Sequence, residues 1–259
     1  EQSAWATWFQ TRAAYDFYGC MPQEMQPFVF GAEENGMFVG IVAGYITRER
    51  NAVKQFFTRR AIIPGGALLD EHISDEALST LLAIVRENLT SKSIYIELRN
   101  LHDYSHWKSV FAAQGFDYTP HLNFQVDCTD PAAVWGRMKS NRRRQIRKGF
   151  AHSAYITEAQ SDNDIIAFYA ILKELYRHKV RTPLPSVDFF LQLFHTQGTK
   201  FFLVKYQDTI IGGIVCPILG NRTLYEWYIC GLDKQYRQQY PSVLATYAAI
   251  EYTATHGIA

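Results

Sequence analysis

Positive charge is concentrated in one short stretch, Trp135 to Phe150, of a 259-residue chain whose formal net charge is only +1. Seven residues of this stretch, called here the basic segment, are cationic: Arg137, Lys139, Arg142, Arg143, Arg144, Arg147 and Lys148. No Asp or Glu occurs between Pro131 and Thr157. Because guanidinium groups can hold a phosphate with two parallel hydrogen bonds, the segment predicts an anion site for a nucleotide, an RNA or a pyrophosphate-bearing substrate. The alternative is a solvated basic surface without a ligand.

The spacing within the basic segment predicts a helix with a cationic face and an apolar face. Ser140 or Asn141 can cap its N-terminus. Ile146 and Phe150 then share one face, which can be buried, and the cations occupy another. The residues predicted to contact phosphate are Asn141, Arg143, Arg144, Arg147 and Lys148.

The composition is that of a globular protein, with 47% hydrophobic, 20% charged and 15% aromatic residues. No apolar run approaches the ~20 residues that a membrane-spanning helix needs, and the expected location is the cytoplasm. The four cysteines are scattered without CxxC spacing: Cys20, Cys128, Cys216 and Cys230. The sequence therefore predicts no metal site and no disulfide framework, and Cys216 and Cys230 are expected to be buried thiols.

Hydrophobic periodicity predicts an α/β protein of two units, residues 1–127 and 128–259, each with a mixed sheet and helices on both faces. In the first unit we expect helices at 5–18, 74–85 and 103–114, strands at 27–32, 37–47, 53–58, 93–98 and 122–126, and a glycine-rich loop at 62–66. In the second we expect strands at 154–156, 200–206, 210–219 and 223–231 and, after the basic segment, helices at 161–175, 186–194 and 241–255.

A repeated local pattern favours duplication of one unit. Phe38–Ile46 and Ile210–Ile218 are each the second strand of a hairpin, with glycine at the third position. The alternative is that two buried hairpins merely look alike. The basic segment falls between the units, where a ligand-binding cleft is expected. Because the chain starts at Glu1 and stops at Ala259, where another strand is expected, we expect both ends to be trimmed.

The element order of the second half is that of the GNAT acyltransferase fold. There, a loop of the form Gln/Arg-x-x-Gly-x-Gly/Ala uses backbone amides at a helix N-terminus to hold the pyrophosphate of coenzyme A. The corresponding loop here is Arg237-Gln238-Gln239-Tyr240-Pro241-Ser242. Arg237 matches, but Tyr240 replaces the first glycine and Pro241 lacks an amide donor. The loop therefore predicts weak or no coenzyme A binding, and its alternative interpretation is an ordinary helix start with proline.

Several motifs follow one another in a fixed order: Phe9-Gln10-Thr11, Ser140-Asn141-Arg142-Arg143 with Ile146-Arg147-Lys148, Tyr225 to Gly231, Tyr236-Arg237 with Tyr240-Pro241-Ser242 and Leu244, and Gly257. Together they resemble the FemABX family and the related BioF2-like acyltransferases, which consist of two GNAT-like units. The resemblance implies transfer of an amino acid from aminoacyl-tRNA to the peptide of a peptidoglycan precursor. Tyr18 stands where family members often have a basic residue, and neither the coiled-coil arm nor the segment after Gly257 has a counterpart.

The reaction that the resemblance implies needs a proton acceptor and oxyanion stabilisation, because an amine attacks an acyl ester or thioester. Glu226 is the predicted acceptor, and Tyr228 on the same strand face is a possible donor, with Tyr225 and Trp227 on the other face. Burial among aromatic rings would raise the pKa of Glu226. Asp233 is an alternative acceptor, and Glu226 is otherwise an edge-strand carboxylate without a role. The other residues predicted to bind substrate are Arg237, Tyr240 and Ser242.

The predicted function is therefore an aminoacyl- or acyltransferase acting on an amine acceptor in cell-wall synthesis. The expected partners are aminoacyl-tRNA as donor and a nucleotide- or lipid-linked muropeptide as acceptor, with no cofactor. Two alternatives remain open: an acyl-coenzyme A-dependent GNAT N-acyltransferase, and a non-catalytic RNA- or polyanion-binding protein of the same fold. No Ser/His/Asp order and no HExxH motif occurs in the chain.

Overall fold

The computed structural model describes Ser3, residues 5–48 and residues 58–258. The chain forms two compact units, Glu1–Phe124 and Gln125–Ala259. In the described residues each unit contains a five-stranded sheet with helices packed against it. The α/β class predicted from the sequence is confirmed, and the two units are described separately below.

The sheet of the first unit contains strands β1 to β5: Met25–Glu34, Met37–Thr47, Arg60–Gly65, Leu68–Leu69 and Tyr95–Asn100. Its order is β1-β2-β3-β5, and β4 pairs with β2. The turn of the antiparallel β1–β2 hairpin places Asn35 and Gly36 at φ values of 51° and 78°, which asparagine and glycine adopt readily. Because β3 and β5 are parallel, this sheet is mixed.

The first unit has three described α-helices: α1 at Arg12–Gly19, α2 at Asp75–Thr90 and α3 at Lys108–Ala113. The Ser74 hydroxyl caps α2 by accepting a hydrogen bond from Ala77 N at 3.0 Å. Apolar residues of α2, such as Leu82, pack with Ile46 of β2 in one core cluster. Tyr18 of α1 contacts Tyr45 with 4.7 Å between ring centroids. Because Tyr45 and Ile46 are adjacent on β2, the two helices lie on opposite faces of the sheet.

Three predicted elements of the first unit differ from the structure. The predicted helix at 5–18 is interrupted, because Thr11 is extended, with φ −82° and ψ 162°, and separates the short 3-10 turn Trp8–Gln10 from α1. Residues 62–65 belong to β3 instead of a loop, and the turn falls at Gly65 and Gly66. The predicted strand at 122–126 is not a strand, and Leu122 is 89% exposed. The predicted strand at 53–58 lies outside the described residues except for Thr58.

The second unit has helices α4 to α8: Pro131–Arg137, Ser140–Ala151, Asp162–Leu175, Val187–Phe194 and Pro241–His256. Strands β6 to β10 are Ala154–Glu158, Thr199–Tyr206, Thr209–Leu219, Thr223–Leu224 and Tyr228–Gly231. The sheet order is β10-β8-β7-β6, with β9 paired to β8. Among the described strands every pairing in this sheet is antiparallel, so the prediction of a mixed sheet here is wrong for this part of the chain.

Helices cover both faces of the second sheet. On one side, called here the α8 face, Leu244 of α8 and Ile146 of α5 join the core cluster of Ile214 on β8. On the other side, called the α6 face, Phe168 of α6 lies 3.0 Å from the position that a Cβ on Gly213 would occupy. Gly213 and Ile214 are neighbours on β8, so their side-chain directions are opposite. Unlike the predicted mixed pairing, the predicted two-faced packing is confirmed for this unit.

Replacing Gly66 with Ala should destabilise the protein. Gly66 has a φ of 73°, and a Cβ there would lie 2.0 Å from Oδ1 of Asn100, the oxygen that accepts a hydrogen bond from Ala67 N at 3.2 Å. We expect a loss of about 1–3 kcal/mol in the free energy of unfolding, measured by urea denaturation. Gly136→Ala is the control, because a Cβ there meets nothing within 4 Å. Equal stability of the two variants would contradict the prediction.

Candidate active site in the second unit

The candidate site is organised around a bulge in the segment that follows β9. Leu224 pairs with Ile218 of β8, and Tyr228 pairs with Val215. Between these two pairs the segment after β9 has three residues, 225–227, whereas β8 has only two, 216–217. Trp227 N also donates a hydrogen bond to Val215 O at 3.0 Å, so Trp227 and Tyr228 both lie opposite Val215. This two-against-one pairing is a β-bulge, which changes the direction of the side chains around it.

The bulge decides which side chains share a face. Trp227 and Tyr228 both contact Phe189 of α7, with ring centroids 5.5 and 6.2 Å apart, so both point to the α6 face. Leu224 and Ile229, on either side of the bulge, pack into the core of the α8 face. Two residues after Leu224, Glu226 also points to the α8 face. The expectation that Glu226 and Tyr228 share a face is wrong, because strict alternation fails at a bulge.

Glu226 combines access to solvent with a shifted pKa. The residue is exposed, yet desolvation by the surrounding protein raises the pKa of its carboxyl to about 7. Burial, and after it the charge of Glu226, raises the pKa of the Cys216 thiol, and Cys216 belongs to the α8-face core. A reachable carboxyl with a pKa near 7 is suited to accept a proton at neutral pH.

A groove of ≈ 300 Å³ opens on the α8 face between the basic segment, β10 and α8. Its aliphatic lining residues are Met138, Ile146, Ile229, Val243 and Ile250. Its polar lining residues are Arg142, Ser242, Thr246 and Tyr247. Because Trp227 and Tyr228 point to the other face, Ile229 is the next side chain after Glu226 on the α8 face. Ile229, which lines the groove, is thus the groove residue that follows Glu226 most closely along the chain on this face.

The N-terminus of α8 is closed by groups of the protein itself. Tyr240 adopts a left-handed conformation, with φ 48° and ψ 56°, and Pro241 follows it as the first helical residue. Ser242 N donates a hydrogen bond to Asp233 Oδ1 at 3.1 Å. Gly231 approaches so closely that a Cβ on it would lie 2.6 Å from Ser242 N. A phosphate at this terminus would meet an occupied amide, a missing amide and a carboxylate of the same charge.

The basic segment covers the end of α4, through Arg137, and most of α5, which has a different N-terminus from the one expected. The helix starts at Ser140 with Lys139 as its N-cap residue, and no side chain makes a capping hydrogen bond. Ile146 is buried, as predicted, but Phe150 is 39% exposed and contacts Tyr247 with 6.0 Å between ring centroids. The apolar face of α5 therefore packs against α8 through Ile146, and it opens to solvent towards Phe150.

Most of the predicted phosphate-binding cations are accessible. Arg144, Arg147 and Lys148 are exposed, and Arg143 is half-buried. Arg144 Nη2 donates a hydrogen bond to Asn141 Oδ1 at 2.8 Å. The Arg147 guanidinium lies 5.4 Å from the centre of the Trp135 ring, a cation–π distance. Two guanidinium groups are thus held in place by neighbours that do not neutralise their charge.

Comparison with known proteins identifies the fold. A family model described as an acetyltransferase (GNAT) domain matches residues 136–259, the part of the chain that holds Glu226 and the groove. The crystal structure of FemX aligns with a TM-score of 0.65 at 11% identity, over 96% of this chain and 81% of FemX. The chain has a FemX-like fold, and its residues 136–259 match the GNAT domain family. The predicted tandem GNAT-like architecture is confirmed by this match, and the GNAT domain supports an acyltransferase.

Two other solved structures match this chain less well. A GCN5-related N-acetyltransferase from Kribbella flavida has 11% identity and a TM-score of 0.44, over 95% of this chain and 81% of its own. An aminoglycoside acetyltransferase, meta-AAC0020, from an uncultured soil metagenomic sample, in complex with sisomicin, has 15% identity and a TM-score of 0.34, over 41% and 73%. No curated protein matches the sequence.

Three further observations bear on the predictions made from the composition. None of the described helices is long and apolar enough to cross a membrane. Within the described ranges, His, Cys, Asp and Glu side chains do not gather in threes where they could hold a metal ion. Cys20 is an exposed thiol, and Cys128, Cys216 and Cys230 are buried thiols. The prediction of buried Cys216 and Cys230 is confirmed.

Only some of the predicted site residues lie near the groove of the second unit. Ser242 lines the groove, whereas Arg237 is exposed and its Nε donates to Lys234 O at 3.4 Å. Arg142 and Thr246 line the groove but were not predicted as site residues. Helical spacing could have indicated both residues, because residues four apart share one face of a helix. Arg142 lies four residues before Ile146, and Thr246 lies four residues after Ser242 and four before Ile250.

Proposed function

We propose that this FemABX-like chain transfers an aminoacyl or acyl group from an ester donor to an amine acceptor. The amine nitrogen attacks the acyl carbonyl carbon, a C–N bond forms, and the ester C–O bond breaks. Glu226 accepts the proton that the amine loses and returns it to the leaving oxygen. A carboxyl with a pKa of about 7 serves both steps at neutral pH, because its two protonation states are similarly populated.

The observation that carries the proposal is the hydrogen bond from Ser242 N to Asp233 Oδ1. In a coenzyme A-dependent GNAT enzyme the corresponding helix N-terminus holds the pyrophosphate. Here the amide is occupied by a carboxylate, and Pro241 supplies no donor. The pyrophosphate of an acyl-coenzyme A would therefore lack its usual backbone hydrogen bonds at this helix N-terminus, and it would face a carboxylate of the same charge. We therefore propose aminoacyl-tRNA as the donor, with no bound cofactor.

The exposed cations of α5 support an RNA donor. Arg144, Arg147 and Lys148 lie on the helix that also supplies Ile146 to the groove, so RNA phosphates bound there would bring an acyl group towards Glu226. The proposed acceptor is the amine of a nucleotide- or lipid-linked muropeptide, which follows from the FemABX resemblance. Such a reaction requires aminoacyl-tRNA, so the proposed location is the cytoplasm.

Acetyl-coenzyme A should bind weakly or not at all, and aminoacyl-tRNA should act as donor. Calorimetric titration of the protein with acetyl-coenzyme A is expected to give no saturable heat at micromolar concentrations. Asp233→Asn removes the like charge but leaves Pro241 in place, so it should not create micromolar affinity. In parallel, a mixture of charged tRNAs and a muropeptide amine should yield an acylated product detected by mass spectrometry.

The opposite pattern would overturn the proposed donor. If acetyl-coenzyme A bound with micromolar affinity, and Arg237→Ala together with Tyr240→Ala abolished that binding, the chain would be an acyl-coenzyme A-dependent N-acyltransferase. Failure of every charged tRNA to support transfer, with tight binding of the same tRNA, would indicate a non-catalytic RNA-binding protein. The first outcome differs from the expected one in the affinity for acetyl-coenzyme A, and the second differs in the amount of acylated product.

A further inference from the structure

The groove on the α8 face lies where it can bind the part of the donor that is attached to the reacting carbonyl. Ile229 is the next side chain after Glu226 on this face, three residues further along the chain, and three residues of extended chain span about 10 Å. A carbonyl carbon close enough for the amine proton to reach Glu226 thus lies beside the groove entrance. The substituent on the carbonyl carbon can therefore enter the groove while the carbonyl itself stays beside Glu226.

The lining of the groove selects for an apolar substituent. Aliphatic side chains from the basic segment, β10 and α8 form most of it, among them Ile146, Ile229 and Ile250. Two of its polar groups are already engaged: the Tyr247 hydroxyl donates to Glu251 Oε1 at 3.1 Å, and Arg142 Nη1 donates to Gln145 Oε1 at 2.9 Å. Among the described residues that line the groove none is Asp or Glu, so an ammonium group would find no counterion there.

The size of the groove limits what can enter. A volume of ≈ 300 Å³ lies at the lower end of the range of small-molecule sites, which is roughly 300–1,000 Å³. Glycine or serine side chains would leave most of this apolar space empty. A branched aliphatic or aromatic side chain would occupy more of it and displace more water from its apolar walls.

We infer that the groove binds the side chain of the transferred acyl group and makes the enzyme selective for donors with a bulky apolar side chain, such as a leucyl or phenylalanyl group. This inference rests on the proposed function and names its donor class. The side chain itself undergoes no chemistry. The bond changes remain those of the transfer, in which the amine forms a C–N bond, the ester C–O bond breaks, and the proton passes through Glu226.

The test measures binding separately from turnover. The probes are short acceptor-stem RNAs with leucine or glycine joined to the 3′ end through an amide, which cannot be transferred. Calorimetry with the full chain should show that the leucyl RNA binds about 10-fold tighter than the glycyl RNA, or more, because methylene groups in an apolar pocket discriminate by that factor. Equal affinities of the two RNAs would overturn the inference whether or not the protein turns over.

A groove-filling variant links the preference to this site. Thr246→Leu places a larger apolar group in the groove, and it should abolish the preference for leucyl over glycyl RNA. Thr255→Leu is the matched control, because it makes the same change on an exposed part of α8, and it should keep the preference. A preference that survives Thr246→Leu would show that the side chain binds elsewhere.

A second variant tests the groove independently, in case Thr246→Leu does not fold. Ile250→Ala enlarges the groove and should shift the preference from the leucyl towards the phenylalanyl RNA, with circular dichroism confirming the fold of each variant. The outcomes remain distinguishable from failure of the proposed function. A leucyl preference that Thr246→Leu removes, without transfer to any amine, would support the groove assignment and contradict the transferase.

Discussion

Glu226→Gln should lower kcat/KM for acyl transfer by roughly 10²–10⁴-fold, the usual range for loss of a positioned general base. Glutamine keeps the size of the side chain but cannot accept a proton. The expected defect lies in turnover, and donor affinity should change little. Initial rates of acylation of a muropeptide amine, measured with saturating and subsaturating charged tRNA, would separate these two quantities.

The pH dependence of the wild-type enzyme should identify the same group. Desolvation raises the pKa of Glu226 from 4.5 to about 7, and only the ionised carboxylate accepts a proton. The rate constant should therefore rise with pH up to about 7 and level off above it, apart from any contribution of the amine itself. In Glu226→Gln the rise that ends near pH 7 should be absent.

Stability supplies an independent check on this prediction. A carboxyl whose pKa is raised by folding makes the native state bind protons more strongly than the unfolded state, so ionisation above pH 7 opposes folding. Glu226→Gln should therefore have a melting temperature at pH 8 that is equal to or higher than the wild-type value. Glu174→Gln is the control, since Glu174 is an exposed carboxylate elsewhere in the same unit, and it should keep full activity. Wild-type activity in Glu226→Gln would show that another group takes the proton.

Elements set by local signals could be predicted closely. The hairpin of the second unit was expected at 200–206 and 210–219 and occurs at Thr199–Tyr206 and Thr209–Leu219. Its turn, Gln207 and Asp208, has φ values of 47° and 61°, which short polar side chains tolerate. Ser161 and Ser186 likewise cap α6 and α7 through their own hydroxyls. Such signals lie within a few residues of the element that they define.

The candidate site depends on pairings between segments that are distant in sequence. The bulge at Trp227 and Tyr228 exists because two residues share Val215 on another strand, and the segment 223–231 alone gives no sign of this register. The groove combines three separate segments, and the Asp233–Ser242 hydrogen bond spans a loop. Residue type was therefore informative for Glu226, whereas its face and its neighbours required the sheet.

The segment at 122–126 has the sequence pattern of a strand but does not form one. Leu122, Phe124 and Val126 alternate with polar residues, which is the usual pattern of a half-buried strand. The structure leaves all three exposed, at 89%, 84% and 52%, and assigns them to no strand. Alternation predicts that a segment can pair, but only a neighbouring strand edge can make it do so, and local sequence does not contain that information.

Replacing Arg144 and Lys148 together with Ala should weaken RNA binding and flatten its dependence on salt. Both side chains are exposed on α5, and no Asp or Glu occurs between Pro131 and Thr157 to neutralise them. Each phosphate that a cation neutralises releases counterions, so the slope of log K against log salt should fall by about one unit per lost contact. Fluorescence anisotropy with a tRNA between 50 and 300 mM salt, concentrations of the order used for such slopes, measures both effects.

The control removes the same charge from another surface of the same unit. Arg177 and Lys179 are exposed cations on the segment after α6, so their double replacement with Ala lowers the net charge equally. If α5 binds the donor RNA, only the Arg144/Lys148 variant should lose slope. Stability should change by no more than about 0.5 kcal/mol in either variant, because exposed charges contribute little. Equal loss of slope in both variants would mean that RNA responds to net charge alone, and an unchanged slope in both would leave α5 as a solvated basic helix.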